Sequence, residues 1–108
     1  MGDYFIPLSI QSDLQVRADI FREKNLPKVS WRFIADCRGK FIYLRRFMND
    51  GSYQNLGRLT YSGDIENMAF AIFKNSTEKY ESKADFFGAN HLDGTLEGAL
   101  QAIVDAYP

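Results

Sequence analysis

His91 is the only histidine of this 108-residue chain, and it stands in Asn90-His91-Leu92-Asp93, just ahead of a helical segment. An imidazole with Asp93 or Asp85 nearby has the make-up of a general acid or base. No nucleophile stands beside it in the sequence, so its expected role is to order the start of that helix. Cys37 is the only thiol. A reactive thiolate needs a base and a lowered pKa. Arg38 and Lys40 flank Cys37 but supply no base, and the expectation is a small residue in a turn. Asp64 with Glu66, and Glu78 with Glu81, are spaced carboxylates in polar segments where solvated charge is the normal case. Gly39-Lys40 lacks the earlier glycine and the following Ser or Thr of a phosphate loop. No Cys or His pair has zinc spacing. Asn49-Asp50-Gly51 lacks the spaced acids and final Glu of a calcium loop. No cofactor and no metal are expected.

The strongest functional candidate is instead a run of cations and rings between residues 29 and 48. Arg32, Arg45 and Arg46 alternate there with Tyr43 and Phe47. A sheet face with exposed aromatics and arginines can stack bases and hold phosphates. The competing expectation places the aromatics in the core and the arginines at its rim, their stems covering apolar surface. The sequence pI of 5.7 favours the second, since nucleic-acid-binding domains are usually basic.

Composition sets the class. One core suits this length, and 45% hydrophobic with 25% charged residues is ordinary for a folded domain. Aromatic residues reach 15%, enough for a well-filled core or an aromatic surface. No apolar run approaches the roughly 20 residues of a membrane span, and Met1-Gly2-Asp3-Tyr4 lacks the basic start of a secretion signal. A single cysteine cannot form an internal disulfide, so the expected setting is a reducing cytoplasm. The net charge of -1 conceals a balance of +6 over residues 14–58 and -5 over 59–108. Folding is expected to bring these halves together.

The elements that must position these residues follow from pattern. Tyr4 to Leu8 reads as an extended lead-in before Pro7. Ser12 and Gln15 form a capping box that opens a helix near 13–25, with Leu14, Ala18 and Phe21 on one face. Val29–Met48 is a β-hairpin. The Asp36…Gly39 spacing favours a three-residue loop, which puts Trp31, Phe33, Phe41, Tyr43 and Phe47 on one face and Ile34, Ile42, Leu44 and Met48 with Arg32 and Arg46 on the other. A two-residue loop exchanges the second strand's faces, grouping Ile34, Phe41, Tyr43 and Phe47 with Arg32 and Arg45. Further strands are expected at Asn55–Tyr61, where Gly57 marks a bulge or close approach, and at Met68–Phe73. Asn75–Leu92 reads as irregular. A last helix, capped by Asp93 or Thr95, carries Leu96, Ala99, Leu100, Ile103, Val104 and Tyr107 on its apolar face, and Gly94, Gly98, Ala102 and Ala106 on a stripe of small residues.

The expected fold is a single two-layer α+β domain, an antiparallel meander of about four strands packed against an N-terminal and a C-terminal helix. Its core is Leu14, Phe21, Trp31, Phe33, Leu59, Phe70, Ile72, Leu96, Leu100, Ile103 and Val104. The helix–strands–helix order resembles double-stranded-RNA-binding domains in topology alone. Their last helix begins with lysines, and residues 84–108 here contain no Lys or Arg. The leading functional expectation is a non-enzymatic binding or protein-interaction module, with an unidentified protein or a second copy as partner and no membrane. Nucleic-acid binding through Arg32, Tyr43, Arg45, Arg46 and Phe47 ranks second, and a ligand pocket or enzyme site under the 75–92 loop with His91 ranks third. In either register the hairpin is apolar on both faces. The second face therefore needs a cover, from residues 4–8, from Tyr80, Phe86 and Phe87, or from another chain.

Overall fold

Leu14, Ala18 and Phe21 recur at spacings of four and three. In the computed structural model, which describes residues 5–82 and 86–107, all three are buried on one side of a helix. This helix, α1, runs Leu8–Asn25 and so starts earlier than expected. The Ser12 cap is corrected: Pro7 holds the cap position, and its carbonyl accepts from the N–H groups of Ile10 and Gln11 at 3.0 Å each. Proline suits a helix start because its φ is already fixed near the helical value. At the other end the Asn25 side chain donates to the Phe21 carbonyl, and Leu26 N–H to that of Arg22.

Five strands follow in chain order as one antiparallel meander: β1 Arg32–Arg38, β2 Phe41–Phe47, β3 Tyr53–Thr60, β4 Ala69–Lys74 and β5 Lys79–Glu81. The last lies in the segment expected to be irregular and pairs Tyr80 with Phe73. The favoured hairpin register is also corrected. Arg38 pairs with Phe41, so the loop is only Gly39-Lys40. Gly39 has φ 60° while Lys40 is not left-handed. A positive φ at the first loop residue alone is the pattern of a type II′ turn, whose twist matches that of the flanking strands.

This register decides the core. Phe33, Ile42 and Leu44 face the helices and are fully buried. The β2–β3 pairing shifts between Leu44 and Arg45, so that Leu44 meets Gly57 and Arg45 meets Asn55. Leu56, the residue left over, is fully buried. A bulge of this kind redirects a side chain. Leu14, Ala18 and Phe21 of α1 close the core from above, together with Leu96, Ala99, Leu100 and Ile103 of a second helix, α2, Leu96–Ala106. Trp31, Phe70 and Val104, expected inside, are half-buried at its rim. The three-residue loop expected from the Asp36…Gly39 spacing puts Ile42 and Leu44 on the other face, and the two-residue loop brings them inside.

Thr95 caps α2 by accepting from Gly98 N–H at 3.1 Å, and Asp93 accepts in turn from the Thr95 N–H and hydroxyl. The small stripe of α2 packs against the preceding segment. A Cβ on Gly98 would lie 2.6 Å from the His91 carbonyl oxygen and closer still to the Asp93 carboxylate. The glycine is thus required by close approach, and its cost inside a helix, about 1 kcal/mol, is offset by that packing.

One contact seals the margin of the sheet. The Gln15 side chain on α1 donates to the Phe33 carbonyl at 2.9 Å and accepts from the Ala35 N–H at 2.9 Å. A single side-chain amide thus occupies two of the outward hydrogen-bonding groups of β1, the Phe33 carbonyl and the Ala35 N–H, as a neighbouring strand would. No helix among the described residues is long and apolar enough to cross a membrane.

Candidate binding face

Strand alternation sends the opposite set of side chains away from the helices. On β1 these are Arg32, Ile34, Asp36 and Arg38; on β2, Phe41, Tyr43, Arg45 and Phe47. Tyr53, Asn55 and Arg58 of β3, Ala71 and Phe73 of β4, and Tyr80 of β5 extend the same face across the sheet. No described helix lies over it: both helices pack on the other side, where the core cluster lies.

The rings and cations of this face cover one another. Tyr43 and Tyr80 meet edge-on with centroids 5.6 Å apart, and Phe73 meets Tyr80 at 5.0 Å. The Arg58 guanidinium lies 4.6 Å from the Phe41 centroid and 5.2 Å from that of Tyr80, and the Arg45 guanidinium lies 5.8 Å from that of Tyr43. Such stacking is favourable because a ring's negative face attracts a cation. Ala71, between these groups, is only 3% exposed. Tyr53 stands apart, 59% exposed beside Phe47 at 5.1 Å.

The charge on this face is mostly positive. Asp36 is the one strand acid there, and it accepts from both Arg38 and Arg45 at 2.9 Å. Arg45 also donates to the Asn55 side chain. Arg32 reaches sideways to Asp19 on α1 at 3.4 Å. Arg58 has no carboxylate partner among the described residues, and its Nε is buried without an acceptor. Burial raises the Tyr80 hydroxyl above its ordinary pKa, against the opposing pull of Arg45.

Four of the six residues singled out in the sequence, Arg32, Tyr43, Arg45 and Phe47, come together here. Arg46 does not. It turns into the helix side, 7% exposed, with its guanidinium 4.4 Å from the Trp31 centroid, donating to the Tyr107 carbonyl at 2.6 Å and to Gln54. Burial lowers its pKa. Arg58 and Phe73 join the face unforeseen, and Tyr80, expected as part of a cover, joins it as a strand residue. Arg58 carried a signal, since period-two alternation from Leu59 would have placed it opposite the core.

The chain matches no protein-family model, no curated protein and no solved structure.

His91 lies elsewhere, on a 3-10 turn, Ala89–His91. Its Nε2 is 2.8 Å from Oδ2 of Asp105 in the last turn of α2, so it tethers that turn to the helix's far end rather than to its start. Asp93 is engaged with Thr95 instead, and Asp85 lies outside the described residues. His91 lines neither of two surface cavities. One, of about 360 Å³, lies beside α1 between Ile20, Phe21 and Glu97, and the other, of about 190 Å³, between Phe86, Phe87 and Tyr107. The supposed covers of the second face go elsewhere too. Ile6 enters the helix-side core, Phe86 packs on Phe70, Phe87 is 80% exposed, and Tyr4 lies outside the described residues. Only Tyr80 contributes, as part of the face itself.

Cys37 sits within β1 opposite Ile42, not in a turn. Burial, reinforced by neighbouring Asp36, pushes its thiol up to about 11. The thiolate is the reactive form. The folded chain is therefore expected to react with iodoacetamide near neutral pH far more slowly than the urea-unfolded chain does. Equal rates would contradict this placement.

Proposed function

We propose that this chain is a non-enzymatic binding domain whose contact surface is the helix-free face of its sheet. One observation carries the reading: a continuous layer of rings and arginines, with Tyr43, Arg58 and Tyr80 at its centre, lies on a sheet face that no described helix covers. Aromatics and arginines are the side chains that most often supply binding energy at interfaces. No comparable array surrounds His91, whose ring is engaged by Asp105 alone among the described residues, and Cys37 is held in its unreactive form.

Site-specific photocrosslinking in cells producing the chain tests this. A benzophenone amino acid replaces Tyr53 on the face or, separately, Ile20 on α1, which is also exposed. Adducts are expected at position 53 and not at position 20, and Arg58→Glu in the same chain should remove them. Equal adduct yields at the two positions, or yields that ignore Arg58, would overturn the reading.

A further inference from the structure

We infer that the occupant of this face is a single-stranded nucleic acid, its bases laid against the rings of Tyr43, Phe47 and Tyr53 and its phosphates held by Arg45 and Arg58. The inference rests on the reading of the face as the contact surface and adds the chemistry of the partner. Charge is the first argument. The chain as a whole carries -1, but the strand residues of this face supply four arginines against Asp36, and even with Asp19 of α1 engaged by Arg32 the positive charge is in excess. Acids instead gather on the helix side, where Asp13, Glu66 and Glu97 surround Arg17. The partner is therefore anionic. A second copy joined face to face about a two-fold axis would set the same arginines against each other, because such an interface uses one patch on both subunits. Like charges directly opposed are unfavourable.

Shape is the second argument. The face offers flat groups, rings and planar guanidiniums 4.6 to 5.8 Å from ring centroids. An acidic peptide would satisfy the cations and leave the rings without planar partners. Unpaired bases satisfy both, since every base has a π face and sits between charged phosphates. The bases of a duplex are stacked on one another, and rings spread over a sheet do not reach them. Tyr53, the most exposed ring, and its neighbour Phe47 offer the first platform. Stacking on a ring is available to every base, so the binding is sequence-tolerant.

Fluorescence anisotropy of the whole chain tests this with labelled single-stranded RNA of mixed sequence, the matching DNA strand, their duplex and polyglutamate. Both single strands should bind more tightly than the duplex. Log affinity should fall with log salt at a slope of about -1.5 to -2, the release expected for two or three phosphates on a single strand. Tyr43→Ala should weaken binding by about five- to a hundredfold, and Arg58→Gln should weaken it and flatten the salt slope by about 0.7, while Lys24→Gln on α1 should do neither. Thermal melts identify any variant that has failed to fold, and Tyr53→Ala, exposed, is the substitute for such a variant. Polyglutamate bound through Arg58 with oligonucleotides ignored would overturn the inference and leave the face as a binding surface. Duplex bound as well as single strands, or no binding at all, would overturn it as well. Photocrosslinking at position 53 decides the broader reading separately.

Discussion

Leu100→Ala is expected to destabilise the fold by about 2–5 kcal/mol, the range for emptying a fully packed leucine site, while Gln101→Ala changes stability by less than about 0.5 kcal/mol. Leu100 is wholly buried between sheet and helices, in one cluster with Leu14, Leu44, Leu96 and Ile103. The sheet and both helices frame the vacated space, so it cannot collapse cheaply. Gln101, one residue on, is partly exposed and makes a single long bond to Asp105 within its own helix. Urea denaturation of the two variants measures the difference. Equal losses would mean that α2 presents another face to the core.

Arg45 and Arg46 should differ as sharply, although they are adjacent and chemically identical. Arg46→Ala is expected to cost about 2–3 kcal/mol, from an unsatisfied carbonyl at the end of α2 and a lost cation–ring contact. Its guanidinium donates to Tyr107 and lies over Trp31, tying the last helix to the second strand. The cost is held down because Arg46 is itself buried with its Nε unpartnered, a burden that truncation relieves. Arg45→Ala should cost less than about 1 kcal/mol, since it loses a partly solvated ion pair with Asp36. Its effect should appear in ligand binding instead. Urea melts of both variants check the hairpin register: a larger stability loss at Arg45 would restore the three-residue loop.

Much of the architecture was legible because hydrophobic spacing reports burial. The apolar stripe of α2 and the strands around Phe33, Leu59 and Ile72 were read from it directly. The hairpin register was not, because Phe41, Ile42, Tyr43 and Leu44 offer apolar groups to both faces and periodicity cannot choose between them. The choice fell to the Asp36…Gly39 turn signature, and a tighter turn with only Gly39 left-handed prevailed. That one-residue slip exchanged Arg45 for Arg46 on the open face. The start of α1 was obscured because Pro7 reads as a chain stiffener before it reads as a cap. β5 was missed because three residues, Lys79–Glu81, are too short to show alternation. Arg58 and Tyr80 lie 22 positions apart in the sequence, and only the meander brings them together.

Gln15 has a consequence for what kind of partner the molecule can accept. Unpaired strand margins invite recruitment of a foreign backbone, either as an added peptide strand or as the seed of a growing fibril. By holding the Phe33 carbonyl and the Ala35 N–H, Gln15 blocks the middle of the β1 margin against such pairing. The opposite margin, β5, is only three residues long. An interrupted rim and a short one are both poor templates for chain-to-chain pairing, so recognition falls to the side chains on the sheet's broad surface, and the rings held there can stay sticky with little edge-to-edge self-association.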